Sequence, residues 1–194
     1  MTFKYIFFDL DGTLTDPAEG ITNSFIFALN YFNIEIPSYK TLCSFIGPTL
    51  ISTFQDFFHF SASQTEEAIK KYREYFATKG LFENSVYKGI PELLQFLTEK
   101  GFSLFVTTSK PQEYAQRILE HYDLSKYFIH IFGANMNEKH GEKGEIIQQA
   151  INSSKIANKS EILMIGDRKY DIQGAKQNNI YSCAGLYGYG SYQE

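Results

Sequence analysis

Five short apolar segments recur along this chain, and stretches with a helical spacing of apolar residues lie between them. The apolar segments cover residues 3–8, 103–107, 129–132, 162–165 and 181–186. A strand that is apolar along its whole length is buried on both faces, and a helix between two such strands makes a parallel crossover. The pattern therefore predicts an α/β fold with a doubly wound parallel sheet.

Residues 15–85 interrupt this alternation of strands and helices. They contain helical patterns without an apolar strand between them. The aromatic stretch FQDFFHF at residues 54–60 is expected to pack those helices together rather than to stack on a nucleobase. We therefore expect residues 15–85 to form an all-helical subdomain that is inserted into a core of residues 1–14 and 86–194.

Two helix starts in the insert resemble capping boxes, in which a polar side chain and an acid three residues later bond each other's backbone N–H groups. The first pairs Asp16 with Glu19, and the second pairs Ser63 with Glu66. Each pair precedes a stretch with a helical apolar period. We therefore expect Asp16 to be an N-cap with no role beyond the helix.

The charge and the cysteines restrict the class of partner and the compartment. A formal net charge of −4 leaves no basic stripe for a nucleic-acid backbone. Cys43 and Cys183 lack C-x-x-C spacing, which argues against a disulfide framework or a zinc site. Neither a signal peptide nor a run of about 18 apolar residues is found. We expect a cytoplasmic protein, monomeric or homodimeric, that acts on a small molecule and not at a membrane.

Two aspartates follow the first apolar segment, in the stretch YIFFDLDGTLTD. Alternate residues of a strand share a face, so Asp9 and Asp11 project together beyond the end of the strand while Leu10 points the other way. Two close carboxylates repel each other, and a cation between them relieves the repulsion. The pair therefore predicts a cation site where the first strand ends.

Further polar residues follow the later strands. Thr108 and Lys110 follow the second core strand, Lys143 opens a helix after the third, and Asp167 and Asp171 follow the fourth. The carboxyl ends of parallel strands meet at one edge, where ligands bind. Carboxylates favour Mg²⁺, whereas a hydroxyl, an ammonium and helix N-termini suit a phosphoryl group. Together these residues indicate metal-assisted phosphoryl transfer.

Four motifs spread over nearly the whole chain resemble those of the haloacid dehalogenase (HAD) superfamily. They are DLDGTLTD at residues 9–16, VTTSKP at 106–111, KGEII at 143–147 and GDRKYDIQGAK at 166–176. The combination of D-x-D-G-T with G-D-x-x-x-D is specific. The chain is similar to the phosphoglycolate-phosphatase-like branch, which implies a Rossmann-like core with a helical cap that serves as a mobile lid.

The resemblance implies the roles of the residues in the first two motifs. Asp9 would be the nucleophile that forms an aspartyl-phosphate, and Asp11 would be the general acid and base. Gly12 would make a tight turn where a side chain would crowd the phosphate. Thr108 and Ser109 would bind the phosphoryl group.

The last two motifs carry the remaining implied roles. Lys143 would neutralise the phosphoryl group, and Lys110 would support it as a loop cation. Mg²⁺ would be held by Asp9, Asp167 and the backbone carbonyl of Asp11. Asp171 would orient either the water shell of the metal or Lys143.

Two assignments have a competitor nearby in the sequence. Thr107 competes with Thr108, which the following lysine and proline favour. Lys139 competes with Lys143, which is favoured because it directly precedes the helical run. The sequence alone leaves both alternatives open.

The resemblance implies a Mg²⁺-dependent hydrolase of small phosphomonoesters. Its first expected substrate is 2-phosphoglycolate, and a nucleoside 5′-monophosphate comes next. A phosphomutase that retains its phosphoenzyme and a non-catalytic sensor of a phosphorylated ligand are the alternatives. A dehalogenase is disfavoured because that chemistry needs neither Asp11 as an acid nor a metal.

The end of the chain departs from the branch. Its members usually continue past residues 181–186 with one more helix and strand, so we expect an edge element to be missing. The stretch LYGYGS at residues 186–191 lies on the loop after a core strand. It could touch the substrate there, but a plain turn is the favoured interpretation.

Overall fold

The computed structural model describes residues 2–136 and 141–193. This part of the chain divides into two compact units. One unit comprises Met1–Asp16 with Val86–Glu194, and the other comprises Pro17–Ser85. The apolar strands lie in the first unit, whereas the second consists almost entirely of helices.

The strands and helices alternate along the larger unit. The strands are β1 (Tyr5–Phe8), β2 (Thr15–Asp16), β3 (Ser85–Val86), β4 (Ser103–Pro111), β5 (His130–Ala134), β6 (Ile162–Gly166) and β7 (Tyr181–Ala184). The α-helices are α1 (Ala18–Tyr31), α2 (Tyr39–Cys43), α3 (Leu50–Ser52), α4 (Ala62–Tyr75), α5 (Ile90–Glu99), α6 (Gln112–His121), α7 (Lys143–Ser153) and α8 (Lys169–Gln177). Single turns of π-helix follow α3 and α4, at Thr53–Phe57 and Phe76–Gly80.

Among the described residues, five strands form one parallel sheet in the order β5-β4-β1-β6-β7. The strands on either side of β1 come later in the chain, so the connections run outward from β1 in both directions, with helices between the strands. This arrangement confirms the predicted α/β class and the Rossmann-like, doubly wound sheet.

The strand ends differ from the predicted ones by a few residues. β1 begins at Tyr5 rather than at residue 3, and β7 ends at Ala184 rather than at residue 186. β4 instead continues to Pro111, because its pairing with β5 resumes at Pro111 after an irregularity that follows Thr108. Ser109 therefore belongs to the strand, and Pro111 is the N-cap of α6 rather than its first helical residue.

The core of the larger unit covers both faces of the sheet. Ile6, Phe7 and Phe8 are all buried, as a strand covered on both sides requires. Phe7 belongs to a cluster that joins the sheet to α7 and α8. Its other buried members include Phe105, Phe132, Ile146, Ile147, Ala150, Ile151, Met164 and Ala175. This packing fixes β1 at the centre of the sheet and so determines where Asp9 leaves it.

The predicted capping box at Asp16 is wrong. Helix α1 begins at Ala18 with Pro17 at its N-cap, and no side chain in the described residues caps it. Asp16 lies in β2, and its carboxylate accepts a hydrogen bond from the Tyr189 hydroxyl. A partner that is distant in the sequence has replaced the local one.

The second capping box is displaced by one half-turn of helix. Helix α4 starts after Ser61, whose hydroxyl accepts a hydrogen bond from the Gln64 N–H at 3.4 Å. The Gln64 side chain accepts one in return from the Ser61 N–H at 3.0 Å. The predicted pair, Ser63 with Glu66, has the same spacing two residues later. Spacing alone does not distinguish the two frames.

The helical unit is organised around aromatic side chains. Phe25 of α1 is fully buried, and its ring lies 5.0–5.5 Å from the rings of Phe45, Phe54 and Tyr72. Phe54 also stacks on Phe60, at a centroid distance of 5.8 Å. These contacts give the unit its own core, to which the first and last aromatic residues of FQDFFHF contribute.

Replacing Phe25 with alanine is expected to lower the free energy of unfolding by about 3–5 kcal/mol, because it removes a buried ring and leaves a cavity. Phe27 on the same helix is 38% exposed, so Phe27→Ala is the matched control and should cost much less. Urea unfolding curves of both variants measure the difference. Equal losses would show that Phe25 is not the centre of this core.

Within residues 2–136 and 141–193, none of the helices combines the length and the apolar character that a bilayer crossing requires.

Candidate active site

The candidate site begins where β1 ends. Phe8 lies between Val106 of β4 and Ile165 of β6, and the next residue, Asp9, donates its N–H to the Ile165 carbonyl at 2.9 Å. This bond continues the sheet by one residue and places Asp9 at its carboxyl edge. The chain then turns sharply, with the N–H groups of Leu14 and Thr15 both bonded to the Leu10 carbonyl.

Gly12 occupies that turn with a φ of +82°, a conformation that residues with a side chain rarely adopt. A Cβ at this position would lie 2.3 Å from Oδ2 of Asp167. The sequence predicted that a side chain here would crowd a phosphate. The group that a side chain would meet in this structure is the Asp167 carboxylate.

Lys143 lies at the centre of the site and is the first residue of α7. Its Nζ is 2.7 Å from Asp9 Oδ1 and 2.9 Å from Asp171 Oδ1, and it donates a hydrogen bond to the Thr107 carbonyl at 2.9 Å. Burial by itself would lower the pKa of Lys143, but the charges of Asp171 and Asp9 outweigh it and raise the pKa well above its usual value. Lys143 is therefore a permanent buried cation.

The carboxylates around Lys143 exceed the charge that it supplies. Burial raises the pKa of Asp9 to about 7; Lys143 opposes this, and Asp171 and Asp167 add to it. Burial also raises the pKa of Asp167 to about 6, against the hydrogen bond from the Tyr189 N–H. The accumulated negative charge makes this part of the site attractive to a cation.

Three of these acids could share such a cation. Oxygen atoms of Asp9, Asp167 and Asp171 lie within 4.8 Å of one another, and all three residues are buried. Asp171 is already engaged, since its Oδ2 accepts the Arg168 N–H at 3.1 Å and its Oδ1 pairs with Lys143. Asp9 and Asp167 therefore retain more capacity for an additional ligand. An all-oxygen donor set of this kind fits a hard divalent ion.

Asp11 lies in a different environment from Asp9. Its Oδ2 forms an ion pair of 2.8 Å with the buried Nζ of Lys110. Its Oδ1 is buried and, within the described part of the chain, receives no hydrogen bond. A buried oxygen without a partner is costly, and a substrate proton would satisfy it. The sequence predicted a loop cation at Lys110, and the structure pairs that cation directly with Asp11.

The geometry distinguishes Thr107 from Thr108. The Thr107 hydroxyl is buried and donates to Sδ of Met164 at 3.3 Å, on the side of the sheet that faces the core. The Thr108 hydroxyl accepts the Lys110 N–H at 3.2 Å, which leaves its own hydrogen free to donate. Ser109 follows and is partly exposed. The arrangement favours Thr108 as the binding hydroxyl.

The structure brings Asp9, Lys143, Asp167 and Asp171 together at one edge, with Asp11 and Lys110 as a neighbouring pair. The competing lysine, Lys139, lies outside the described residues.

Sequence reasoning missed the contribution of the loop after β7. The Tyr189 N–H donates to Asp167 Oδ2 at 2.6 Å, and the Tyr187 hydroxyl donates to the Thr13 carbonyl at 2.8 Å. The only local signal was the glycines of LYGYGS, which mark close approach of a backbone but do not say to what.

Comparisons with known proteins agree with this geometry. Residues 6–184 match the family described as haloacid dehalogenase-like hydrolase. Over 195 residues the chain is 42% identical to a 5′-nucleotidase of Pseudomonas aeruginosa, covering 100% of this chain and 87% of that protein. Over 194 residues it is 27% identical to a phosphoglycolate phosphatase of Vibrio parahaemolyticus, covering 96% of this chain and 85% of that protein.

A solved structure, described as a "predicted phosphatase" from Clostridium acetobutylicum, has the same fold. It superposes with a TM-score of 0.96 at 44% identity, and the match covers 100% of this chain and 89% of that one. An identity this high over whole chains accompanies the shared fold, and the acidic edge with its buried lysine lies inside the matched region. The chain therefore belongs to the haloacid dehalogenase-like hydrolases, and it is a phosphatase of that family.

Proposed function

We propose that this phosphatase is a Mg²⁺-dependent phosphomonoester hydrolase that works through an aspartyl-phosphate on Asp9. The observation that carries the proposal is the 2.7 Å ion pair between Asp9 and the buried Lys143, inside a cluster of further carboxylates. A carboxylate that only stabilised the fold would not need a cation, two acidic neighbours and a place at the ligand-binding edge of the sheet.

The donor set is compatible with Mg²⁺. Asp9, Asp167 and the backbone carbonyl of Asp11 would hold the ion, and Asp171 would orient Lys143, with which it forms an ion pair. When bound, Mg²⁺ would offset the negative charge of the phosphoryl group. Asp171 is the less suitable ligand because both of its oxygens already have protein partners.

The residues then divide the two chemical steps. A carboxylate oxygen of Asp9 forms a bond to phosphorus while the bond to the leaving oxygen breaks, and Asp11 gives its proton to that oxygen. In the second step Asp11 takes a proton from water, the water oxygen bonds to phosphorus, and the bond from Asp9 breaks. Lys143 neutralises phosphoryl charge in both steps.

The remaining polar groups would bind and orient the phosphoryl group. Thr108 and Ser109 would donate hydroxyl hydrogens to its oxygens. Lys110 would hold Asp11 in position through their 2.8 Å ion pair. The lid role of the helical unit stays a prediction.

For the substrate, we propose a small phosphorylated metabolite and place nucleoside 5′-monophosphates first. A relative named 5′-nucleotidase is 42% identical to this chain, whereas a relative named phosphoglycolate phosphatase is 27% identical. This reverses the order expected from the sequence. Both substrates belong in the same test, because the described side chains of the core bind the phosphoryl group and not the leaving group.

Phosphate release from a panel of phosphomonoesters tests this proposal. With Mg²⁺ we expect release from nucleoside 5′-monophosphates, with kcat/KM at least ~10-fold above that for 2-phosphoglycolate, which corresponds to ~1.4 kcal/mol in the transition state. EDTA should abolish release, and added Mg²⁺ should restore it. Release that persists in EDTA would contradict the metal dependence.

Two other outcomes would replace the hydrolase proposal. A sugar-phosphate isomer formed without release of phosphate would identify a phosphomutase. Tight binding of a phosphate ester without any turnover, by a protein that binds Mg²⁺, would identify a sensor.

A further inference from the structure

The loop at residues 185–190, GLYGYG, lies against the turn that follows β1 and against Asp167. A Cβ on Gly188 would lie 2.3 Å from Asp167 Oδ2 and 2.4 Å from the Gly12 carbonyl. A Cβ on Gly190 would lie 1.8 Å from the Asp167 carbonyl. All of these distances are far below van der Waals contact. The loop approaches Asp167 as closely as a backbone can, which only glycine permits.

Hydrogen bonds hold the loop in this position. The Tyr189 N–H donates to Asp167 Oδ2 at 2.6 Å, and the Tyr187 hydroxyl donates to the Thr13 carbonyl at 2.8 Å. The Tyr189 hydroxyl also bonds the Asp16 carboxylate. The loop therefore connects Asp167 to the turn that carries Asp11 and to the residue that begins the helical insertion in the sequence.

The packing around the loop adds rigidity. The ring of Tyr187 lies edge-on to that of Tyr87, at a centroid distance of 5.0 Å. Gly12 and Gly188 approach Asp167 Oδ2 equally closely, since a Cβ on either would lie 2.3 Å from that atom. Oδ2 is therefore enclosed by backbone, whereas Oδ1 accepts only a long hydrogen bond of 3.3 Å from the Thr13 hydroxyl.

We propose that residues 185–190 form a positioning loop for the divalent cation site. The Tyr189 N–H fixes one oxygen of Asp167, so that the other is presented as a ligand in a single orientation. Partners of this kind keep a ligating carboxylate from rotating and raise metal affinity without touching the metal. The inference rests on the proposed function, since it takes Mg²⁺ as the cation and Asp167 as one of its ligands.

The first test is Gly188→Ala, whose new methyl group must displace the loop from Asp167. Loss of an outer partner of a metal ligand usually weakens metal binding by ~10–100-fold. We expect that loss in the Kd of Mg²⁺, measured by calorimetry without substrate. We also expect the KM for Mg²⁺ to rise far more than kcat at saturating Mg²⁺ falls.

The second test is Tyr187→Phe, which removes one hydroxyl and leaves the ring contact with Tyr87. It serves if Gly188→Ala does not fold, and it should weaken Mg²⁺ binding at the lower end of the same range, about 10-fold. Tyr192→Phe removes a hydroxyl from a side chain that is 89% exposed. This matched control should bind Mg²⁺ like the unchanged protein.

The outcomes separate the two proposals. Unchanged Mg²⁺ affinity in a folded Gly188→Ala or Tyr187→Phe variant would overturn the positioning role. Calorimetry that detects no Mg²⁺ binding to the unchanged protein would instead overturn the metal dependence in the proposed function, and the positioning role with it. Weaker binding in the variants with an unchanged melting temperature in EDTA would support the loop, because a merely structural role would lower that temperature.

Discussion

Replacing Asp9 with asparagine is expected to lower kcat for phosphate release by more than ~1,000-fold, as the loss of a nucleophile does in other enzymes that form covalent intermediates. Asparagine has nearly the same shape, but its amide cannot form the phosphoryl ester. Phosphate release at saturating Mg²⁺ measures the effect. Circular dichroism checks that the variant is folded.

The control for this variant is Asp56→Asn, which makes the same change at an exposed position of the helical unit. It should retain full activity. Phosphate release by Asp9→Asn at a rate close to that of the control would show that Asp9 is not the nucleophile. It would also move the assignment to another carboxylate of the cluster.

Replacing Lys143 with methionine is expected to lower the free energy of unfolding by about 3–5 kcal/mol, the usual cost of breaking a buried ion pair from one side. Asp9 and Asp171 lie 2.7 and 2.9 Å from the ammonium. Without it, both would remain buried beside each other and beside Asp167 without a counter-charge. Chemical denaturation in EDTA measures the loss.

Lys176→Met is the matched control, because Lys176 is exposed on α8. It should change stability by no more than ~0.5 kcal/mol. Combining Lys143→Met with Asp171→Asn should be less destabilising than the sum of the single changes, by ~0.5–3 kcal/mol if the two groups are coupled. Strict additivity would contradict the ion pair.

The acidic pair shows how far local spacing can reach. The two-residue period of a strand put Asp9 and Asp11 on one side of β1, and this holds for any backbone in that conformation. Their surroundings nevertheless differ, because Asp9 pairs with Lys143 and Asp11 with Lys110. The pattern predicted two close carboxylates but could not assign a different cation to each.

The capping boxes show where local spacing failed. Asp16 has the right neighbours for an N-cap, yet its carboxylate bonds the Tyr189 hydroxyl. A capping interaction contributes only about 1 kcal/mol, so a tertiary partner replaces it easily. The choice between Ser61 and Ser63 failed for a simpler reason, since both have a side chain of the required type three residues later.

The fold class, the order of strands and helices, and the collection of acids and lysines at one edge all follow from periodicity and from the geometry of parallel strands. Those properties belong to the backbone and are encoded residue by residue. The enclosure of Asp167 by Gly12, Gly188 and Tyr189 belongs to a different level. It joins a loop after the last strand to the turn after the first, and contacts between such distant segments exist only once the core has brought the two ends of the sheet together.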